Sequence, residues 1–290
     1  MTGPYLAKPA AAIAVLQKYG LHTQKKYGQN FLIDAHVPEK IMEAAEICRE
    51  DCCIEIGPGI GTLTQYLAER AGRVIAIEVD TGLLPVLSET LEGYENTTVI
   101  SADVLKVDMQ ELIRQYAEGR RVKVVANLPY YITTPILMSM LEAGLPVVSY
   151  TLMVQKEVAD RMQAGPGGKE YGALSLAVQY HTEPEIVMQV SPNCFLPQPT
   201  VGSTVIQLKS RGPLLPEEDR KVLFRVIRAA FGQRRKTLYN SLRNTPEIGA
   251  SKEQIAQALE SCGLRPDVRG EALSLEQFML LSKLLFPQNV

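Results

Sequence analysis

Three glycines in five residues, set between an apolar run and an amphipathic one, constrain this chain more than any other feature. In Ile54-Glu55-Ile56-Gly57-Pro58-Gly59-Ile60-Gly61-Thr62 the chain leaves a β-type segment, turns sharply and enters a helical pattern. Glycine suits such a turn because a ligand can approach the backbone with no Cβ in the way. The spacing is G-x-G-x-G. It is neither the dinucleotide G-x-G-x-x-G nor a phosphate loop ending in Gly-Lys-Ser/Thr, so nucleotide hydrolysis is not expected. Taken alone, the turn is also compatible with a purely structural role.

The surroundings extend the pattern. Between residues 52 and 155, short β-type runs (52–56, 73–79, 97–104, 122–126 and 149–154) alternate with amphipathic segments such as 62–71 and 83–91. That alternation predicts βαβ units, hence an α/β, Rossmann-like and mostly parallel sheet. Runs 185–190 and 203–208 flank a proline-rich loop and predict an antiparallel pair closing the sheet. A break with two prolines and a glycine follows at 210–216. Beyond it the pattern is helical only, over 217–232, 237–242, 251–262 and 274–286, with Ser251 and Ser274 placed as N-caps. The expected organisation is an N-terminal extension (1–24), a catalytic α/β domain (25–210) and a small all-helical domain (211–290).

Acids and an asparagine punctuate the ends of successive strands. Glu78 lies 17 residues beyond Gly61 at the end of the second run, where a carboxylate can accept both ribose hydroxyls of a nucleoside. Asp103 closes the third run at the same edge. NAD needs only the first acid; S-adenosylmethionine uses one for the ribose and another near the adenine amine. The fourth run ends Asn127-Leu128-Pro129-Tyr130-Tyr131. A nucleobase exocyclic amine is a poor nucleophile because its lone pair is delocalised into the ring. An Asn oxygen and a backbone carbonyl held by a rigid proline can accept both N–H groups and favour the pyramidal nitrogen, while an aromatic ring stacks on an extruded base.

Composition narrows the class. The chain has 290 residues, 46% hydrophobic and 21% charged, as a packed globular protein of two domains has. No apolar run reaches the roughly 18–20 residues of a membrane span, and 10–16 reads as part of a helix. Five cysteines without a C-x-x-C suit buried thiols in a reducing compartment, so the expected location is cytoplasmic. Three scattered histidines predict no metal site. Net charge is only –2, but Arg220, Lys221, Arg225, Arg228, Arg234, Arg235, Lys236 and Arg243 fall within 24 residues with no acid among them. Such a segment attracts polyanions, although a solvated helix face has the same composition.

Together these features resemble the KsgA-type ribosomal RNA adenine N6-dimethyltransferases, within the S-adenosylmethionine-dependent Rossmann methyltransferases. The similarity begins at Lys25-Lys26-Tyr27-Gly28-Gln29-Asn30-Phe31-Leu32 and runs through the glycine turn, Glu78, Asp103 and residues 127–130. It continues in Pro192-Asn193-Cys194-Phe195-Leu196-Pro197-Gln198-Pro199-Thr200-Val201-Gly202-Ser203 and in Phe231-Gly232-Gln233-Arg234-Arg235-Lys236-Thr237-Leu238. The resemblance implies S-adenosylmethionine as cofactor, with Asn30 and Leu32 at its methionine end and Gly57 beneath it. Gly59 and Asn127 would also line its site, Glu78 would hold the ribose and Asp103 the adenine amine. Asn127 and the Leu128 carbonyl, stiffened by Pro129, would orient the target N6, with Tyr130 and Phe195 stacking on the base. It further implies dimethylation of two adjacent adenines near the 3′ end of small-subunit (16S) ribosomal RNA in a pre-ribosomal particle. Arg225, Arg228, Arg234, Arg235 and Lys236 would dock the RNA, no membrane or metal is implied, and the protein would act as a monomer.

Two alternatives remain. Erm-type methyltransferases modify one adenine in large-subunit RNA, but usually carry Ile where Leu128 stands and lack the equivalent of Pro58. The chain could instead be mainly an RNA-binding assembly factor.

Overall fold

Parallel strands buried on both faces need apolar residues all along their length, and the central strands have them. The computed structural model describes residues 5–21, 29–233 and 235–287. Lys25, Lys26, Tyr27, Gly28 and Arg234 lie outside the described residues. In chain order come α1 (Pro9–Lys18), β1 (Phe31–Leu32), α2 (His36–Ala45), β2 (Asp51–Ile56), α3 (Thr62–Arg70), β3 (Arg73–Glu78), α4 (Leu84–Thr90) and β4 (Thr97–Ser101). Then follow α5 (Met109–Tyr116), β5 (Arg121–Asn127), α6 (Thr133–Glu142), β6 (Val147–Gln155), α7 (Lys156–Gln163), α8 (Ala173–His181), β7 (Thr182–Val190), β8 (Phe195–Leu196) and β9 (Ser203–Ser210). The last elements are α9 (Glu217–Gly232), α10 (Leu238–Arg243), α11 (Lys252–Ser261) and α12 (Leu275–Leu285).

The chain divides into two compact units, Met1–Ala159 with Glu183–Ser210, and Asp160–Thr182 with Arg211–Val290. In the first, seven strands run in the order β4-β3-β2-β5-β6-β9-β7. The pairs from β4 to β6 are parallel and β9 lies antiparallel to β6. The antiparallel closure expected from sequence is therefore present, with β9 inserted beside β6 and β7 at the edge. Strand order reverses between β2 and β5, and in such sheets the crevice beyond the carboxyl ends at that point is where ligands bind. At the opposite end, the fully buried Asp51 pairs with Lys123 (3.0 Å) and Arg121 (2.9 Å). Lys123 Nζ also donates to the Ala45 and Glu46 carbonyls and so satisfies the C-terminus of α2.

The N-terminal segment extends this core. Leu6, Ala12 and Leu16 are buried with Phe31, Ile60, Leu83 and Val86, and the Leu6 N–H donates to Gln65 Oε1 (3.1 Å). Cys52 and Cys53 are fully buried; all five cysteines are free thiols.

In the second unit, α9 buries Val222, Leu223, Val226 and Ile227. Ser251 and Ser274 cap α11 and α12 in reciprocal boxes with Gln254 and Gln277. Residues 160–182 belong here, whereas the sequence places the boundary after 210. Apolar contacts explain the difference: Tyr180 meets Phe224 edge-on at 5.2 Å, and the Tyr171 hydroxyl donates to the Leu273 carbonyl (2.8 Å). His181 stacks on Phe224 at 5.6 Å, and burial, aided by the nearby Arg220, lowers its pKa to about 4. An unfolded chain takes up a proton at this side chain below about 6.5, while the folded chain refuses it until about 4. Stability should therefore fall as pH drops from about 6.5 to 4, by about 1–2 kcal/mol once partial exposure is allowed for. Urea melts of wild type and His181→Phe at pH 4.5 and 7 should show the variant losing that part of the acid sensitivity.

Candidate active site

The carboxyl edge of the sheet is held level by backbone hydrogen bonds between neighbouring loops. The Gly57 N–H donates to the Ile77 carbonyl (2.9 Å), Ala102 N–H to Glu78 (2.9 Å) and Leu128 N–H to Met153 (3.0 Å). These bonds bring the residues after β2, β3, β4 and β5 around one cavity of about 370 Å³, of the size that holds small molecules. Asn30, Leu32, Gly57, Gly59, Glu78, Asp103, Asn127, Leu128, Pro129 and Tyr130 all line it.

Gly57 and Gly59 have φ of +69° and +62°, which side chains disfavour. A Cβ at Gly59 would also lie 3.4 Å from the Phe31 ring. Gly61 does not line the cavity. Its φ is +92°, and a Cβ there would meet Thr90 Oγ1 at 3.1 Å, so this third glycine is required by packing of the turn.

Glu78 is 4% exposed. Its Oε2 accepts the Gly59 N–H (3.2 Å) and its Oε1 the Asp80 N–H (2.8 Å), so the carboxylate clamps the glycine turn to the end of β3. Burial raises its pKa, against the pull of those two N–H groups. Asp80 is fixed in turn by Gln29 (2.8 Å) and the Gly82 N–H (3.0 Å). Asp103 accepts the Leu105 N–H (3.1 Å), which stops β4 earlier than its β-type run predicts and starts a short 3-10 turn.

Across the cavity, Asn127 Nδ2 donates to the Asn30 carbonyl (3.4 Å), which leaves Oδ1 as the accepting end of its amide. The Pro129 carbonyl is occupied by Thr133 Oγ1 (2.9 Å) and the Ile132 N–H (3.2 Å). The Tyr130 hydroxyl shares a hydrogen bond with Ser203 Oγ (2.7 Å), which fixes the ring in the cavity wall.

Phe195 stands apart. It is 1% exposed, does not line the cavity and packs in the core with Val37, Ile41 and Val205. Its position follows from the antiparallel pairing of β1 and β8, which sets it opposite Leu32. In this structure the ring is a core neighbour of Leu32 rather than part of the cavity wall.

Sequence reasoning missed Glu55. It sits on β2 directly before the glycine turn, is 2% exposed and lines the cavity, and its Oε2 has no hydrogen-bond partner. The available signal was an acid in an otherwise apolar strand, two residues before Gly57.

Comparison with known proteins decides which chemistry this geometry serves. The ribosomal RNA adenine dimethylase family model matches residues 20–286. The chain belongs to that family. Ribosomal RNA small subunit methyltransferase A of Lachnoclostridium phytofermentans is 54% identical over 283 residues, covering 97% of this chain and 98% of that one. The protein of the same name from Bacillus cytotoxicus is 49% identical, over 98% and 99%. Among solved structures, a dimethyladenosine transferase from Plasmodium falciparum superposes with a TM-score of 0.70 at 25% identity, over 87% of this chain and 95% of that one. The 23S rRNA methyltransferase ErmE gives 0.67 at 27%, over 88% and 99%.

The dimethylase is thus an S-adenosylmethionine-dependent methyltransferase. Its cavity fits that cofactor: Glu55, Glu78 and Asp103 line it, and among the described residues no Lys, Arg or His does, which suits a cationic nucleoside. Among the described residues no cluster of His, Cys, Asp or Glu could hold a metal ion, and no helix is long and apolar enough to cross a membrane.

Proposed function

We propose that this dimethylase converts two adjacent adenines, in a loop near the 3′ end of 16S ribosomal RNA, to N6,N6-dimethyladenine, acting as a monomer on a pre-ribosomal particle. One observation carries the reading: the Asn127–Tyr130 segment, Glu78 at the end of β3 and Asp103 after β4 line a single cavity. The names of relatives at about 50% identity support the small subunit as substrate, as do Pro58 and Leu128 against the Erm-type pattern.

S-adenosylmethionine supplies a methyl group already activated as a sulfonium. Glu78 accepts the ribose hydroxyls on the lone pairs its two N–H bonds leave, and Asp103 accepts the adenine amine. Gly57 and Gly59 let the ligand approach the backbone, and Asn30 and Leu32 close the methionine end. Asn127 Oδ1 and the Leu128 carbonyl accept the two N6–H bonds of the target, which favours pyramidal nitrogen and frees its lone pair. Tyr130, tethered through Ser203, stacks on the extruded base. No general base is needed, because the proton leaves a nitrogen that has become cationic.

RNA docking is assigned to the second unit. Arg220 pairs with Glu217, and Lys221 with Glu217 and Glu218, within the first turns of α9, which partly offsets their charge. Arg225 lies over the Phe286 ring, while Arg228, Arg235 and Lys236 are exposed. Charge reversal at Arg228 and Arg235 should weaken RNA binding at least tenfold and reduce its salt dependence by about 1–2 in log–log slope. S-adenosylmethionine affinity should stay unchanged in the same variant.

The subunit assignment is tested by offering labelled S-adenosylmethionine with unmethylated small subunits and large subunits in parallel. Label in the small subunit alone is expected. Label in large-subunit RNA would move the protein to the Erm-type activity.

A further inference from the structure

Two tyrosines follow one another after β5, and only the first has a role in the assignments above. Tyr130 is half-buried and held in the cavity wall by its hydrogen bond with Ser203 (2.7 Å). Tyr131 lines the same cavity, yet 57% of it is exposed. Among the described lining residues only Val79 is also exposed, so Tyr131 is the aromatic ring that stands at the mouth. The turn into α6 is closed by other groups. The Pro129 carbonyl accepts the Ile132 N–H (3.2 Å) and Thr133 Oγ1 (2.9 Å). A ring left more than half in water also gains little from burial. Exposed aromatic rings are where proteins hold unpaired bases, because every base has a flat face to stack. The target adenine, turned into the cavity against Tyr130, is joined through one phosphodiester to a neighbour that stays outside. That neighbour is the first base the strand presents to the mouth.

We propose that Tyr131 is a second stacking platform: it holds the adenine next to the target at the cavity mouth while the target is inside, so that the protein selects an adjacent pair over a lone adenine. The inference rests on the reading that the substrate is two adjacent adenines. The two tyrosines then divide the work, Tyr130 inside on the reacting base and Tyr131 outside on its neighbour. Because the ring stands on one side of the opening and the strand has a direction, the platform serves one of the two registers in which the pair can present itself.

Steady-state methyl transfer by the full chain to unmethylated small subunits tests this. Tyr131→Ala should raise KM for the subunit about 5–150-fold, with kcat within about twofold of wild type and S-adenosylmethionine affinity unchanged. Tyr131→Phe should restore KM, because the ring and not the hydroxyl is the platform. Tyr131→Leu, equally apolar but without a flat face, should not. Subunits reconstituted with uracil in place of one or the other adenine complete the comparison. The larger of the two losses in kcat/KM should be about threefold or more in wild type, because a pyrimidine stacks less, and should disappear in Tyr131→Ala. A fall in S-adenosylmethionine affinity in Tyr131→Ala would make the ring a cover on the cofactor and overturn the proposal. Full rescue by Leu, or a uracil effect undiminished in Tyr131→Ala, would overturn it too. The comparison of Phe with Leu stands even where the alanine variant folds poorly. Wild type that methylates no small subunit would sink the substrate reading itself, and the proposal with it.

Discussion

Asn127→Ala should lower the rate of methyl transfer by about 10²–10³-fold while S-adenosylmethionine affinity changes no more than about threefold. The substitution removes one acceptor of the target amine but leaves the scaffold that presents the other. The Leu128 N–H still donates to the Met153 carbonyl, and the Pro129 carbonyl still accepts from Thr133 and Ile132. Only the weak 3.4 Å contact from Nδ2 to Asn30 is lost on the cofactor side. Single-turnover transfer to small subunits at saturating cofactor, beside equilibrium binding, separates the two effects. A parallel fall in affinity and rate would make Asn127 a cofactor residue rather than an amine-orienting one.

Glu78→Ala should do the reverse and weaken cofactor binding by about 10–150-fold, the value of one hydrogen bond to a charged group. Its carboxylate is also the clamp on the Gly59 N–H, so the glycine turn loses its fixed distance from β3. Glu78→Gln separates the contributions, since it keeps an acceptor for one N–H and loses the charge. Its affinity should fall between wild type and Glu78→Ala. At saturating cofactor, Glu78→Gln should turn over at near the wild-type rate, because the side chain is placed at the ribose and not at the reacting nitrogen.

The site is legible in sequence where function and local geometry coincide. Gly57, Glu78, Asp103 and Asn127 each follow a strand in an alternating βαβ pattern, and such positions meet at one edge of a parallel sheet by topology alone. Where long-range pairing decides, the sequence misleads. Phe195 lies in a motif that reads as functional, and its pairing with Leu32, more than 160 positions away, and its place in the core are visible only in three dimensions. Residues 160–182 look continuous with the α/β pattern, and only Tyr171, Tyr180 and His181 meeting partners beyond residue 211 show that the chain leaves the sheet unit and returns. Glu55 is hidden for another reason. In a strand buried on both faces, alternation carries no signal about which side chain meets the cavity, and its missing partner is visible only in three dimensions.

Nucleoside analysis of small-subunit RNA after incubation with S-adenosylmethionine and either wild type or Asn127→Ala tests the central claim most directly. The account predicts N6,N6-dimethyladenosine at two adjacent positions with wild type and almost none with the variant over the same time. Methylation at another base or at a ribose, or undiminished dimethyladenosine from Asn127→Ala, would contradict it.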